Sequence, residues 1–114
     1  MRSVDVSDHR LGADIADHKP LVVGDVPDII VGTPSRVLLH LEAGHLDDLK
    51  NTLEILVLDE ADLIISFGYE AEVKKVLTQL PPIYQSVLTS ATLSSGAVKL
   101  KELVLRDERI CLEI

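Results

Sequence analysis

Aromatic side chains are scarce in this chain of 114 residues, and a surplus of basic residues is absent. Only 3% of the residues are aromatic, which excludes the base-stacking platforms that many single-strand-binding proteins use. The formal net charge is −8, and binding nucleic acid over the whole surface would need clustered Lys and Arg to neutralise phosphates. Any contact with nucleic acid must therefore be local.

Cysteine, metal-ligand patterns and long apolar runs are also lacking. The single cysteine, Cys111, cannot form a disulfide within the chain, and its apolar setting predicts a buried thiol in a reducing compartment. The four histidines show no ligand spacing of a metal site. The first residues resemble neither a signal nor a transit peptide, and no apolar run reaches the ~18 residues of a membrane span. These absences predict a soluble intracellular protein without a membrane partner.

Aliphatic residues are abundant, and their order along the chain predicts the fold class. With 46% hydrophobic and 26% charged residues, the composition is that of one small globular domain. Short apolar runs alternate with helical spacing, which predicts an α/β fold with a parallel sheet and flanking helices. The first two dozen residues, including 21–23, are left unassigned. Strands are predicted at 28–32, 53–58, 86–89 and 109–113, and helices at 34–43, 70–80 and 94–105.

The run 53–58 is apolar apart from Glu54, so it is predicted to be a buried strand, and Asp59 and Glu60 follow it directly. Open parallel α/β sheets bind ligands at the carboxyl ends of their strands. One carboxylate there could hold Mg²⁺ through its water shell, and the other could orient or deprotonate an attacking water. The alternative is that these acids and Asp62 only favour the positive N-terminus of a following helix.

In two further segments, residues with hydroxyl groups directly follow a predicted strand. Ser90 and Thr92 follow the predicted strand 86–89, so positions 59 and 90 are expected at the same end of the sheet. Ordinary turn or cap residues would give the same pattern. Thr33-Pro34-Ser35-Arg36 follows strand 28–32, where free N–H groups, a hydroxyl and an Arg would form an anion site. A loop and a capped helix explain those four residues equally well.

Together, these segments resemble the motifs of DEAD-box RNA helicases over roughly residues 20–114. The segment from Ile55 through Asp62 resembles the Walker B strand and motif II, and Ser90-Ala91-Thr92 resembles motif III. Thr33-Pro34-Ser35-Arg36 resembles motif Ib, with Ser35 at a position where most members carry Gly. The resemblance implies a partial RecA-like (P-loop NTPase) domain. Residues 1–20 stay ambiguous, and 21–114 would be the C-terminal portion of the first RecA-like domain.

The resemblance also implies roles for particular residues. Asp59 and Glu60 would be catalytic and would bind the cofactors ATP and Mg²⁺, with Asp59 holding the metal through water and Glu60 orienting the attacking water. Asp62 is the expected hydrogen-bond partner of the motif III hydroxyls. The residues implied to couple the ATP site to RNA-dependent domain closure are Asp62, Ser90, Ala91 and Thr92, and those implied to contact RNA are Thr33, Pro34, Ser35 and Arg36.

Finer features are similar to the nucleolar branch of the family that serves assembly of the large ribosomal subunit. They are the Thr33–Arg36 segment, the turn Ser66-Phe67-Gly68-Tyr69, and Leu80-Pro81-Pro82 with Tyr84-Gln85. This similarity implies RNA and pre-ribosomal particles as partners, and the nucleus and nucleolus as the location. The complete protein is expected to be a monomer.

The phosphate-binding sequence Gly-x-x-x-x-Gly-Lys-Ser/Thr does not occur in the 114 residues. The chain therefore lacks the Walker A strand and loop of the family, and by itself it is expected neither to bind ATP tightly nor to unwind RNA. A second hypothesis is a non-catalytic fragment that binds RNA or a partner protein. A third, a phosphoacceptor receiver domain, would need an early acidic pair at a strand end and a lysine after Thr89-Ser90-Ala91, and neither is present.

Overall fold

A computed structural model describes residues 3–6, 27–92 and 94–104. From residue 27 onward each strand is followed by one or two helices, as a parallel sheet with crossover helices requires. The elements are β1 (Ser3–Asp5), β2 (Ile29–Val31), α1 (Pro34–Glu42), α2 (Leu49–Thr52), β3 (Ile55–Leu58), α3 (Ala61–Ser66), α4 (Glu70–Thr78), β4 (Gln85–Leu88) and α5 (Ser95–Val104).

The strands form two parallel pairs. Strand β1 pairs with β2, with Ser3 opposite Ile29, and the Val6 N–H extends the pairing by donating to the Val31 carbonyl over 2.7 Å. Strand β3 pairs with β4. These are separate two-stranded sheets among the described residues. Both pairs are parallel, so the predicted α/β class is confirmed.

Two clusters of aliphatic side chains form the core. The first consists of Val6, Leu41 and Leu46 with their neighbours. The second lies between helices α3–α5 and one face of the β3–β4 sheet, and its buried members are Ala61, Val73, Leu77, Leu100 and Val104. Helix α4 joins the two clusters, because Val76 packs against the first while Val73 and Leu77 belong to the second. Burial of aliphatic side chains stabilises such a core by about 25 cal/mol per Å² of apolar surface.

Most predicted elements are present, with ends shifted by a few residues. The predicted strands 28–32, 53–58 and 86–89 correspond to β2, β3 and β4, and the predicted helices correspond to α1, α4 and α5. Pro34 occupies the first turn of α1, where its missing N–H costs nothing. The predicted strand 109–113, the segment 21–23 and Cys111 lie outside the described residues. Strand β1 and the short helices α2 and α3 were not among the predicted elements.

The prediction of a buried strand at 53–58 is wrong for one of its faces. Leu56 and Leu58 pack against the second cluster, but Ile55 and Val57 each keep 56% of their surface exposed. On the neighbouring strand, Val87 is 41% exposed. The reason is that, within the described residues, helices cover only one face of the β3–β4 sheet. No helix among these residues is both long and apolar enough to cross a membrane.

Helix α5 approaches α3 so closely that position 96 has no room for a side chain. A Cβ atom on Gly96 would lie 2.6 Å from Cγ2 of Ile65. Helix propensity alone predicts that Gly96→Ala stabilises the protein by about 1 kcal/mol. We expect the opposite sign, a net loss of about 1 kcal/mol or more in the free energy of unfolding, because the β-branched Ile65 cannot move aside cheaply.

Urea denaturation measures this change, and Ser95→Ala at the neighbouring exposed position is the control, expected within about 0.5 kcal/mol of the unmodified chain. A more stable Gly96→Ala variant would show that α3 and α5 do not pack as described.

Candidate active site

The predicted acids and hydroxyls meet at the carboxyl ends of β3 and β4. The two strands are parallel, and Leu58 pairs with Leu88, so Asp59 and Thr89 leave the sheet at the same end. The Thr89 N–H donates to the Leu58 carbonyl over 2.9 Å, which continues the pairing by one residue. The expectation that positions 59 and 90 lie at the same end of the sheet is therefore confirmed.

Thr89 joins the end of β4 to both acids. Its hydroxyl donates a hydrogen bond to Oδ1 of Asp59 and accepts one from the Glu60 N–H over 3.0 Å. Its carbonyl accepts a third from the Ala61 N–H over 2.8 Å. A threonine hydroxyl can donate one hydrogen bond and accept others, so a single side chain satisfies these contacts with both acids.

Glu60 adopts a left-handed backbone conformation, with φ 54° and ψ 57°. It is the only non-glycine residue with positive φ in the described part of the chain. This conformation costs roughly 1–2 kcal/mol for an L-residue with a side chain. Glu60 occupies the N-cap position of α3, and the next residue, Ala61, is completely buried. The turn thus leaves both carboxylates exposed while their backbone is anchored in the core.

Asp62 and the segment from Ser90 to Thr92 lie near this centre but are connected differently from the expectation. Asp62 is in the first turn of α3. The Ser90 hydroxyl donates to the Thr92 carbonyl over 2.7 Å, so it closes a local turn. The expected hydrogen bond between Asp62 and the hydroxyls of Ser90 or Thr92 is not among those that join the described residues. Ala91 and Thr92 are exposed.

The segment Thr33-Pro34-Ser35-Arg36 follows β2 and begins α1, as predicted. Thr33 stands at the N-cap, yet its side chain makes no capping hydrogen bond. Its Oγ1 atom is buried, as are Nε and Nη2 of Arg36, and these atoms have no hydrogen-bond partner in the described part of the chain. A helix N-terminus beside a hydroxyl and a guanidinium suits an anion such as a phosphate. This segment follows a strand of the other sheet, and no strand pairing within the described residues joins it to the acids.

The donor set at the acid pair fits a hydrated Mg²⁺ ion. Asp59 is exposed, and the Thr89 hydrogen bond engages only one of its carboxylate oxygens. In the described ranges, no three His, Cys, Asp or Glu side chains converge to form a metal cage. Mg²⁺ ordinarily keeps several waters and uses one or two carboxylates together with substrate phosphates. The second carboxylate oxygen of Asp59, which Thr89 does not engage, could therefore bind the water shell of such an ion.

Thr89 is the residue that the sequence did not single out. Its signal was a polar β-branched residue directly after the apolar run Val87-Leu88 and before Ser90.

A surface groove between α4 and α5 contains none of the predicted site residues. Its lining consists of Glu70, Lys74, Lys99, Glu102 and Leu103.

Comparison with known proteins agrees with this architecture. Residues 3–100 match the family described as DEAD/DEAH box helicase. The chain is 42% identical over 106 residues to the probable ATP-dependent RNA helicase ddx56 of Dictyostelium discoideum, and this match covers 92% of the chain and 15% of that protein. It is 45% identical over 89 residues to the ATP-dependent RNA helicase dbp9 of Schizosaccharomyces pombe, covering 78% of the chain and 14% of that protein.

A solved structure supports the same assignment. The DEAD box protein from the hyperthermophile Methanococcus jannaschii superimposes with a TM-score of 0.72 at 30% identity, covering 86% of this chain and 26% of that one. The chain belongs to the DEAD/DEAH box helicase family, its fold is RecA-like, and the resemblance noted from its motifs is confirmed. It spans about 15% of the length of the curated relatives it matches.

Because Glu60 has a left-handed backbone, we expect glycine to be more stabilising than alanine at this position, whereas inside a helix alanine is the more stabilising residue. We expect Glu60→Gly to have a free energy of unfolding about 1 kcal/mol higher than Glu60→Ala, because only glycine adopts this conformation without a steric cost. At Ala71, inside α4, replacing alanine by glycine is expected to cost about 1 kcal/mol. Chemical denaturation of the three variants provides the measurement. Equal stability of the two Glu60 variants would contradict the conformation described.

Proposed function

We propose that this chain is part of an ATP-dependent RNA helicase, in which RNA-stimulated ATP hydrolysis drives local unwinding of RNA duplexes. In this proposal residues 21–114 are the C-terminal portion of the first RecA-like domain. The main support is the acid pair at the carboxyl end of β3, which hydrogen bonds hold against the end of β4. Membership of a helicase family and the names of the relatives support the same activity.

In the proposed mechanism the two acids have different tasks. The exposed Asp59 carboxylate would hold Mg²⁺ through its water shell, with Thr89 fixing one of its oxygens. Glu60, which is exposed, would orient the attacking water and accept its proton. Bound Mg²⁺ would neutralise charge that develops on the ATP phosphates. Asp62, Ser90, Ala91 and Thr92 would couple this centre to RNA-dependent closure.

The proposed RNA contact is the start of α1. Thr33 is the N-cap of α1 and Arg36 lies in its first turn, so a hydroxyl and a guanidinium lie beside the free N–H groups of the helix start, a combination that suits a phosphate. Ser35 would contribute a backbone N–H at the first turn, and Pro34 would fix the turn's geometry. Because the chain carries a net charge of −8, this local site would bind the RNA backbone without a broad basic surface.

The proposed setting is assembly of the large ribosomal subunit in the nucleolus, with pre-ribosomal particles as partners and the complete protein acting as a monomer. Support comes from the branch-like segments at 33–36, 66–69 and 80–85. The relatives named ddx56 and dbp9, at 42% and 45% identity, are themselves RNA helicases by name.

A second candidate function is RNA or partner binding without catalysis. Two observations favour it for the 114 residues taken alone. The sequence Gly-x-x-x-x-Gly-Lys-Ser/Thr is absent from them, whereas the start of α1, with Thr33 at its N-cap and Arg36 in its first turn, is present. Positioning of the ATP phosphates supplies most of the catalysis in such enzymes, so RNA binding could persist without turnover.

Glu60→Gln tests the catalytic proposal in the longest natural polypeptide that contains these residues. We expect RNA-stimulated phosphate release to fall by about 100-fold or more, because the amide keeps the size of the side chain but cannot accept the proton. A malachite-green assay measures the rate. The 114-residue chain alone is expected to show no turnover.

Glu72→Gln, on α4, is the matched control, since it changes the same group outside the proposed site, and its rate should equal that of the unmodified protein. Turnover that persists in Glu60→Gln would exclude the assigned role of Glu60. Turnover by the 114-residue chain that Glu60→Gln abolishes would overturn the expectation that the chain alone is inactive.

Arg36→Ala tests the proposed RNA contact. If Arg36 neutralises one phosphate, the slope of log affinity against log salt should become shallower by about 0.7 for single-stranded RNA. Filter binding of a uridine oligonucleotide over a salt series gives this slope. Lys50→Ala, which removes one exposed positive charge elsewhere, should leave the slope unchanged. The same slope for Arg36→Ala and the unmodified protein would remove Arg36 from the RNA site.

A further inference from the structure

One threonine side chain holds both acids of the candidate active site. The Thr89 hydroxyl contacts Oδ1 of Asp59 and the backbone N–H of Glu60, although it comes from the neighbouring strand. Asp59 is exposed, and the described residues show no other hydrogen bond to its carboxylate. Without this contact an exposed aspartate would rotate freely among its rotamers.

The backbone of Thr89 is itself fixed on two sides, so the hydroxyl has a defined position. Its N–H donates to the Leu58 carbonyl over 2.9 Å, and its carbonyl accepts from the Ala61 N–H over 2.8 Å. Only rotation about χ1 remains, and threonine is restricted at χ1 because it is β-branched. In the structure the hydroxyl lies between the Asp59 carboxylate and the Glu60 N–H.

We infer that Thr89 is a positioning residue for the acid pair, whose hydroxyl selects the rotamer of Asp59 and holds Glu60 in its left-handed conformation. It also connects the pair to the segment Ser90-Ala91-Thr92, which follows it directly. A displacement of that segment would reach the Asp59 carboxylate and the Glu60 backbone through Thr89, and this route needs no hydrogen bond between Asp62 and Ser90. The catalytic consequence rests on the function proposed above, whereas the geometric consequence does not.

Nuclear magnetic resonance of the 114-residue chain tests the geometric consequence. Three-bond couplings from Cγ of Asp59 to its own backbone N and C′ report χ1, and amide exchange reports the hydrogen bond of Glu60. In Thr89→Val, which keeps the branched shape and removes the hydroxyl, we expect the couplings to average over several rotamers. The Glu60 amide should exchange about tenfold faster. Thr89→Ser keeps a hydroxyl but lacks the χ1 restriction of a β-branched residue. Its Asp59 couplings and Glu60 exchange rate should therefore lie between those of Thr89→Val and of the unmodified chain.

Matched variants separate positioning from a general loss of stability. Thr78→Val removes a hydroxyl that donates to the Lys75 carbonyl in α4, and it should change neither measurement at residues 59 and 60. Thr89→Ala removes the hydroxyl with a different side-chain shape, so the comparison does not depend on Thr89→Val folding well. Unchanged Asp59 couplings and Glu60 exchange in the Thr89 variants that lack a hydroxyl would overturn the inference.

The catalytic consequence is tested in the longest natural polypeptide with the phosphate-release assay. We expect Thr89→Val to lower kcat about 10- to 100-fold with little change in KM for ATP, because misplaced groups slow the chemical step more than they weaken binding. Thr89→Ser should restore most of the rate. If the unmodified protein shows no RNA-stimulated turnover, the proposed function fails while the resonance data still decide the positioning role. A normal rate in Thr89→Val would exclude Thr89 from positioning the acids for catalysis.

Discussion

The parallel pairing of β3 with β4 is the constraint on which the candidate site depends. Its register places Leu58 opposite Leu88, so the residues that follow these positions emerge side by side. Asp59 and Thr89 lie 30 positions apart in the sequence, yet the pairing brings the carboxylate of one to the hydroxyl of the other. A slip of one residue would turn the alternate side chains to opposite faces and separate this pair.

The second cluster of the core provides the support for this edge of the sheet. Ala61 follows the acid pair and is completely buried, and Leu100 and Val104 of α5 belong to the same cluster. The chain therefore passes from two exposed carboxylates to a buried residue within one step. Such anchoring limits movement of the turn, and it helps to maintain Glu60 in a conformation that is unfavourable for an isolated residue.

The burial of strand β3 shows where sequence pattern reaches its limit. Ile55, Leu56, Val57 and Leu58 are all apolar, and an unbroken apolar strand normally has both faces covered. In the described residues, Leu56 and Leu58 face helices while Ile55 and Val57 are each 56% exposed. An apolar sequence shows that the side chains on both faces of a strand can be buried, but not whether another element covers each face. The covering elements decide which faces are buried.

The sequence alone determined the order of β2, β3 and β4 with helices α1, α4 and α5, the position of Asp59 and Glu60 at a strand end, and the resemblance to a helicase family. These features are local, because the spacing of hydrophobic residues and the positions of prolines and acids influence only the structure within a few residues of them. Only the tertiary structure decided that Thr89 would bridge both acids, that Glu60 would be left-handed and that position 96 would admit no side chain. Each of these depends on a neighbour about 30 residues away, whose distance in space is fixed by strand register and helix packing.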